Sequence, residues 1–274
     1  MTIGIGITTR NRPHVLKTAL QHFDHFGYGD KLVVVDDCSE DTNSVPSVIE
    51  EFGDKFVLRQ SPHRLGIARA KNACLAALTE CDHVFIFDDD AWPKNNGWET
   101  KWIDINQHNE VGHSMWTVFA TRGPDSPDSV RANIEIQQQF ISKQFSEGEY
   151  AMRAWTQCLG VMLYFTRECL NAIGGYDSSA QTVYGYEHAQ VSQRANWAGF
   201  SKGHNYISPV IAPDLVYSFD ISYGWLHEES PLEVPWKHEF TTSVTIEEAN
   251  AHPKNAFLMG KRDILIPLVD PIPS

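Results

Sequence analysis

Two apolar runs constrain the fold more than any other feature of the chain. Leu32-Val33-Val34-Val35 and His83-Val84-Phe85-Ile86-Phe87 have the unbroken character of strands buried on both faces. Each stops abruptly at carboxylates, Asp36-Asp37 after the first and Asp88-Asp89-Asp90 after the second. Strands of this kind belong to mainly parallel sheets flanked by helices, and ligands of such sheets gather at the carboxyl ends of the strands. Adjacent like charges repel, so three consecutive acids at a strand end require a positive partner.

The segments around these runs fit that frame. Ile3, Ile5 and Ile7 alternate with Gly4 and Gly6 as in a strand, and Asn11 ahead of Pro13 predicts an N-cap and an early helical proline for a helix through about Phe26. A polar helix is expected near Val45–Phe52, a short strand over Lys55–Leu58, an alanine-rich helix over Gly66–Leu78 and another helix near Gly97–His108. Beyond these, a strand is read near Met115–Thr121, a Pro/Asp/Ser-rich loop over Gly123–Ser129 and partly helical structure over 131–155. Leu159–Phe165 reads as a strand, Arg167–Ile173 as a helix ending at Gly174-Gly175, and Glu187–Trp197 as a helix closed by Gly199. After about residue 205, prolines and aromatics suggest a tail wrapped over the surface.

Composition narrows the function classes. The 274 residues are 42% hydrophobic, enough for one large domain, and the formal charge of −13 disfavours nonspecific binding to nucleic acid or anionic membrane. The five cysteines, Cys38, Cys74, Cys81, Cys158 and Cys169, form no C-x-x-C pair, so neither a disulfide framework nor a zinc knuckle is indicated. With no basic, apolar leader and no run of about 18 apolar residues, the expected setting is cytoplasmic, without a membrane span.

Between the acidic clusters lie Arg59, His63, Arg64, Arg69 and Lys71. Carboxylates at strand ends with cations between them suit a divalent metal and a polyphosphate, the metal held by one or two acids plus phosphate oxygens. On that reading the positive partner of the acids is Mn2+ or Mg2+.

The segments GITTRNRP, VVVDDCS, GIARAKN and FIFDDDAWP, in that order, resemble the nucleotide-sugar half of family 2 glycosyltransferases. IGGYD followed by YGYEHAQVSQRANWAGF resembles their acceptor half, and the likeness spans roughly residues 3 to 200. The resemblance implies the GT-A fold: a mainly parallel, Rossmann-like sheet flanked by helices, with a mixed acceptor-side subdomain. Residues 1–110 would form the nucleotide-sugar half, 111–205 the acceptor half and 206–274 an extension closing the site.

The resemblance also implies roles. Thr8, Thr9 and Arg10 would line the nucleotide pocket, and Asp37 would accept a hydrogen bond from the base, with Asp36 beside it. Asp88 and Asp90 match the outer positions of the family's D-x-D motif and would serve the metal, with Asp89 between them. His227, a late histidine, would reach the metal or diphosphate; read from the residues themselves, Arg69, as one of the cations, and Trp92, as an aromatic face, are taken as substrate contacts. A nucleotide sugar, a UDP-sugar by preference, would be the donor; the acceptor, a glycan, small molecule, protein or modified nucleic-acid base, is undetermined, as is the oligomeric state.

The chain departs from the family where the acceptor helix opens. Relatives carry an acidic pair whose second acid is the base in inverting members, whereas this chain has Glu187-His188. Both are candidates for the base. The reading leans to Glu187, because an imidazolium sits poorly beside the positive sugar of the transition state.

Blander readings stand beside these. Acids at strand ends cap turns, Arg69 could serve only as a structural ion pair, and Trp92, Trp98, Trp102, Trp116 and Trp155 could all be packing rather than sugar platforms. Sugar nucleotidyltransferases share a similar sheet but open with a glycine-rich loop that GITTRNRP lacks. A receiver-like or carbohydrate-binding module could use the acids for a structural ion, yet would leave the acceptor-half likeness unexplained.

Overall fold

The computed structural model describes residues 1–116, 141–156, 160–178, 186–218 and 264–272. Strand β1 (Ile3–Thr9) shows why isoleucine and glycine alternate at the start of the chain. Ile3, Ile5 and Ile7 are buried in one cluster with Leu16, Leu20 and Phe23 of helix α1 (Pro13–Phe26). The glycines face the other way, where a Cβ on Gly6 would come within 2.5 Å of Cys74 Cβ and one on Gly4 within 2.7 Å of Cys81 Sγ. Bare backbone on that face lets helix α3 (Ile67–Ala77) pack directly on the sheet.

The remaining strands of the main sheet are β2 (Lys31–Asp36), β3 (Val57–Gln60), β4 (His83–Asp88), β6 (His113–Met115) and β9 (Met162–Thr166), in the order β3-β2-β1-β4-β9-β6. β3, β2, β1 and β4 run parallel, and β9 is antiparallel to both β4 and β6. Two apolar clusters, one on each face, make the sheet the centre of an α/β sandwich. Helices α2 (Ser44–Glu50) and α4 (Trp98–His108) lie on the isoleucine face with α1, since Val45, Val48, Trp98 and Trp102 share its cluster. Trp98 and Trp102 are fully buried there, so they are core residues and not sugar platforms.

A small antiparallel sheet, β10-β8-β7, is formed by Tyr206–Pro209, Met152–Trp155 and Ile141–Phe145. Over the described part of 131–155, where partly helical structure was expected, helix is confined to the 3-10 turn Gly148–Tyr150 between two strands. The strands are short and β7 is largely exposed, so they carry little of the apolar signal that marks a buried strand. Beside it, β5 (Ala91–Pro93) pairs antiparallel with β11 (Val216–Ser218).

Other boundaries shift. A 3-10 turn at Gly53–Lys55 delays the third strand to Val57–Gln60, and β9 starts at Met162 rather than Leu159. The sixth strand is His113–Met115; most of the expected stretch to Thr121, the loop 123–129 and His227 lie outside the described residues. Asn11 does not cap α1: it takes a left-handed φ of 56° and exchanges hydrogen bonds with Glu40, leaving Arg12 at the N-cap position and Pro13 to start the helix.

The helix Arg167–Ile173 is capped by Thr166, whose hydroxyl accepts from the Cys169 N–H at 3.2 Å. It stops at Gly174, where φ is 71° and an added Cβ would fall 1.8 Å from the Ile266 carbonyl oxygen. The segment 264–272 crosses here: Gly175 N–H donates to Ile266, Ile266 N–H donates to Ile173, and Arg59 pairs with Asp270 at 2.8 Å. From the helix Tyr186–Trp197, buried Arg194 donates to the carbonyls of Ile173, Gly175 and Ile264.

Candidate active site

The strand register assembles the site. Thr8 lies level with Asp88 and Thr9 level with Asp36, so residues from three strands meet along one edge of the sheet. Asp36 is buried and occupied within its own loop, accepting from Ser39 Oγ at 2.6 Å, Ser39 N–H at 3.1 Å and Gln60 Nε2 at 3.2 Å. Asp37 accepts from the backbone N–H groups of Leu65 and Gly66, which fixes the entry to α3. Burial raises its pKa, against the pull of those two donors and of Arg10 and Arg64. Arg10 itself stands 3.6 Å from Glu40, and Arg69 is exposed on α3.

The three acids diverge. Asp89 is buried, accepting from Thr9 Oγ1 at 2.6 Å and pairing with Arg12, whose guanidinium also lies 3.0 Å from Asp90 Oδ2. Burial pushes the Asp89 pKa up to about 6 even with Arg12 opposing it. Asp88 turns the other way, 3.2 Å from Lys71 Nζ and 3.5 Å from Thr8 Oγ1. Its pKa is also raised, by burial first, with Asp90 and Glu187 adding to the effect and Lys71 opposing it.

Two side chains, Arg12 and Lys71, thus supply positive charge that the sequence reading assigned to a metal alone. One oxygen remains: Asp90 Oδ1 is buried and has no hydrogen-bond partner. A buried carboxylate oxygen without a donor is costly unless something positive reaches it. Together with Asp88, whose side chain is 31% exposed, it offers hard oxygen ligands that fit Mn2+ or Mg2+. Among the described residues no three His, Cys, Asp or Glu side chains converge on one point, so such an ion would need further oxygens from its substrate.

Lys71 joins this edge to the helix Tyr186–Trp197. It is buried in α3, with Nζ 3.2 Å from Asp88 Oδ1, 3.4 Å from Glu187 Oε1 and 3.3 Å from the Gly160 carbonyl. Burial would lower its pKa, but the two carboxylates outweigh burial and keep it protonated. Burial likewise works to raise the Glu187 pKa; the neighbouring His188 and Lys71 outweigh it and hold the carboxyl well below its usual range. His188 Nδ1 is 3.2 Å from Glu187 Oε1, and a Cβ on Gly160 would fall 2.3 Å from that nitrogen.

The other expected site residue with a described position, Trp92, is buried on β5, stacked on His22 at 5.2 Å and set against Tyr217 at 5.1 Å. Arg12 and Gly160 were not singled out from sequence, and Lys71 was read only as one cation among several. For Lys71 a signal was present: it lies three residues from Ala68 and from Cys74, on the buried face of α3. A lysine on the apolar face of an alanine-rich helix needs a buried acid.

A family model described as glycosyl transferase family 2 matches residues 5–161. Among solved structures, the mannosyltransferase PcManGT from Pyrobaculum calidifontis, in complex with GDP-Man and Mn2+, is similar with a TM-score of 0.51 at 18% identity, over 73% of this chain and 53% of that one. TarS 1-349 of S. aureus with UDP gives 0.51 at 14% identity over 71% and 55% of the two chains. GalNAc-T7 with UDP, GalNAc and Mn2+ gives 0.55 at 13% over 82% and 45%. The chain therefore spans about half the length of these structures, and at such identity the likeness establishes the fold, GT-A. No curated protein sequence matches the chain. With the fold in common and more than half of the sequence matched by the family model, the chain belongs to glycosyl transferase family 2.

Proposed function

We propose that the protein transfers a sugar from a nucleoside diphosphate sugar, a UDP-sugar by preference, to an acceptor hydroxyl with inversion. The observation that carries this reading is the pair of strand-end acids Asp88 and Asp90, the latter with an unpartnered buried oxygen and the former joined through Lys71 to Glu187, which in turn pairs with His188. Glycosyl transfer builds negative charge on the leaving diphosphate and positive charge on the sugar. Mn2+ or Mg2+ at Asp88 and Asp90 would neutralise the diphosphate without needing a proton.

The chain's own residues supply the rest. Thr8, Thr9, Arg10, Asp36 and Asp37 frame the nucleotide, with Asp37 fixing the loop that carries His63 and Arg64. We assign residues 1–110 to the donor half, 111–205 to the acceptor half and 206–274 to an extension that closes the site. We place the protein in the cytoplasm, as read from the sequence; among the described residues Cys38, Cys74, Cys81 and Cys169 are free and no helix is long and apolar enough to cross a membrane.

Calorimetric titration tests the reading. Mn2+ alone should bind weakly, because two carboxylates complete too few oxygen positions, and strongly in the presence of UDP. Tight UDP binding that is indifferent to metal, or no UDP binding at all, would overturn it.

A further inference from the structure

The pair at the head of the acceptor helix has a defined internal order. Glu187 Oε1 is engaged from two sides, by Lys71 Nζ at 3.4 Å and by His188 Nδ1 at 3.2 Å. A carboxylate held between two such donors stays ionised, and an ionised carboxylate only accepts hydrogen bonds. Nδ1 therefore carries the hydrogen of the Glu187 contact. In the neutral ring the lone pair then lies on Nε2.

This arrangement reverses the preference drawn from sequence. Glu187 is already spent on two neighbours, the Lys71 ammonium and His188 Nδ1, which leaves its carboxylate poorly placed to take a further proton. Resting on the transferase reading above, we propose that His188 is the general base and that Glu187, fixed by Lys71, is a positioning residue that sets its ring and tautomer. The acceptor hydroxyl gives its proton to Nε2, and the oxygen's electron pair forms the new bond to the anomeric carbon. The bond from that carbon to the diphosphate oxygen breaks, and its pair leaves with the nucleoside diphosphate. The objection to an imidazolium beside a positive sugar is met by Glu187, whose carboxylate lies 3.2 Å from Nδ1, the far nitrogen of the same ring. Gly160 completes the arrangement, since any side chain there would collide with the ring.

The test uses the whole chain with Mn2+, water as acceptor, and a panel of UDP-glucose, UDP-galactose, UDP-N-acetylglucosamine and GDP-mannose, following nucleotide release. His188→Ala should lower the rate by about 10² to 10⁴, the usual loss for a general base, with UDP affinity retained as proof of folding. Added imidazole should restore part of the loss in proportion to its free-base concentration. Glu187→Ala should also slow the reaction but respond neither to imidazole nor to formate. A His188→Ala variant that binds UDP and keeps the wild-type rate, or a Glu187→Ala variant rescued by formate, overturns the base assignment alone. Wild-type protein that neither binds UDP with Mn2+ nor releases nucleotide from any donor overturns the transferase reading and this proposal with it.

Discussion

Lys71 Nζ lies 3.2 Å from Asp88 Oδ1 and 3.4 Å from Glu187 Oε1, so one buried ammonium ties the end of β4 to the helix Tyr186–Trp197. Lys71→Met would leave both carboxylates uncompensated. Breaking a buried pair costs about 3 to 5 kcal/mol, and the partial exposure of Asp88 places the expected loss at the lower end. Urea unfolding measures it; a Met variant as stable as wild type would show that the bridge is not structural.

Asp37 accepts two backbone N–H groups, yet each carboxylate oxygen keeps a second lone pair for a base N–H. Asp37→Asn turns one acceptor into a donor facing a donor. Both folding stability and UDP affinity should drop by about 1 to 3 kcal/mol each. Thermal unfolding with and without UDP separates the two effects, and unchanged UDP binding would place the base pocket elsewhere.

Gly160→Ala inserts a methyl group where only 2.3 Å separates the new Cβ from His188 Nδ1. The ring must turn away from Glu187. Turnover should fall by about tenfold or more, since misplacing a reacting group by about 1 Å costs up to about a hundredfold, while UDP affinity stays close to wild type. Equal loss of turnover and of UDP binding would instead indicate a general collapse of the segment.

His113 predicts a pH dependence of stability. Buried and bonded to the Tyr164 carbonyl at 2.9 Å and Ser192 Oγ at 2.8 Å, its pKa is driven down to about 4 by burial. Once unfolded, it takes up a proton near its ordinary value of about 6.5. Between those values the unfolded chain binds more protons, so stability must fall as pH drops from about 6.5 toward about 4, by up to about 3 kcal/mol. Urea midpoints at pH 7 and 5 should differ more for wild type than for His113→Asn; equal differences would assign the acid sensitivity to other groups.

The parallel strands were legible because burial on both faces leaves an unbroken apolar run, as in Leu32–Val35 and His83–Phe87. β7 and β8 were not: the edge strand Ile141–Phe145 carries a polar face that periodicity does not separate from helix, and the central strand Met152–Trp155 is only four residues long with Arg153 breaking its apolar run. At the site, the residue types were readable and the pairings were not. Arg12 reaches Asp89 and Asp90 across 77 and 78 residues of chain, and no local pattern encodes that meeting. Asn11 was assigned as a cap from its usual preference, but the loop at Glu40 competes for the same side chain and takes it.

The strap at residues 264–272 also bears on synthesis. Arg59 donates to the Ile272 carbonyl at 2.6 Å across 213 residues of sequence. At about 5 to 20 residues per second, a ribosome needs on the order of 10 to 40 s to make the intervening chain. For most of that interval β1 to β4 have been made, but the guanidinium of Arg59, and later the turn at Gly174-Gly175, still wait for their last partners. The nascent β1 to β4 unit therefore has to hold together without the segment that will cover α3, and a chain stalled before residue 264 would present that face of the helix bare to chaperones and proteases.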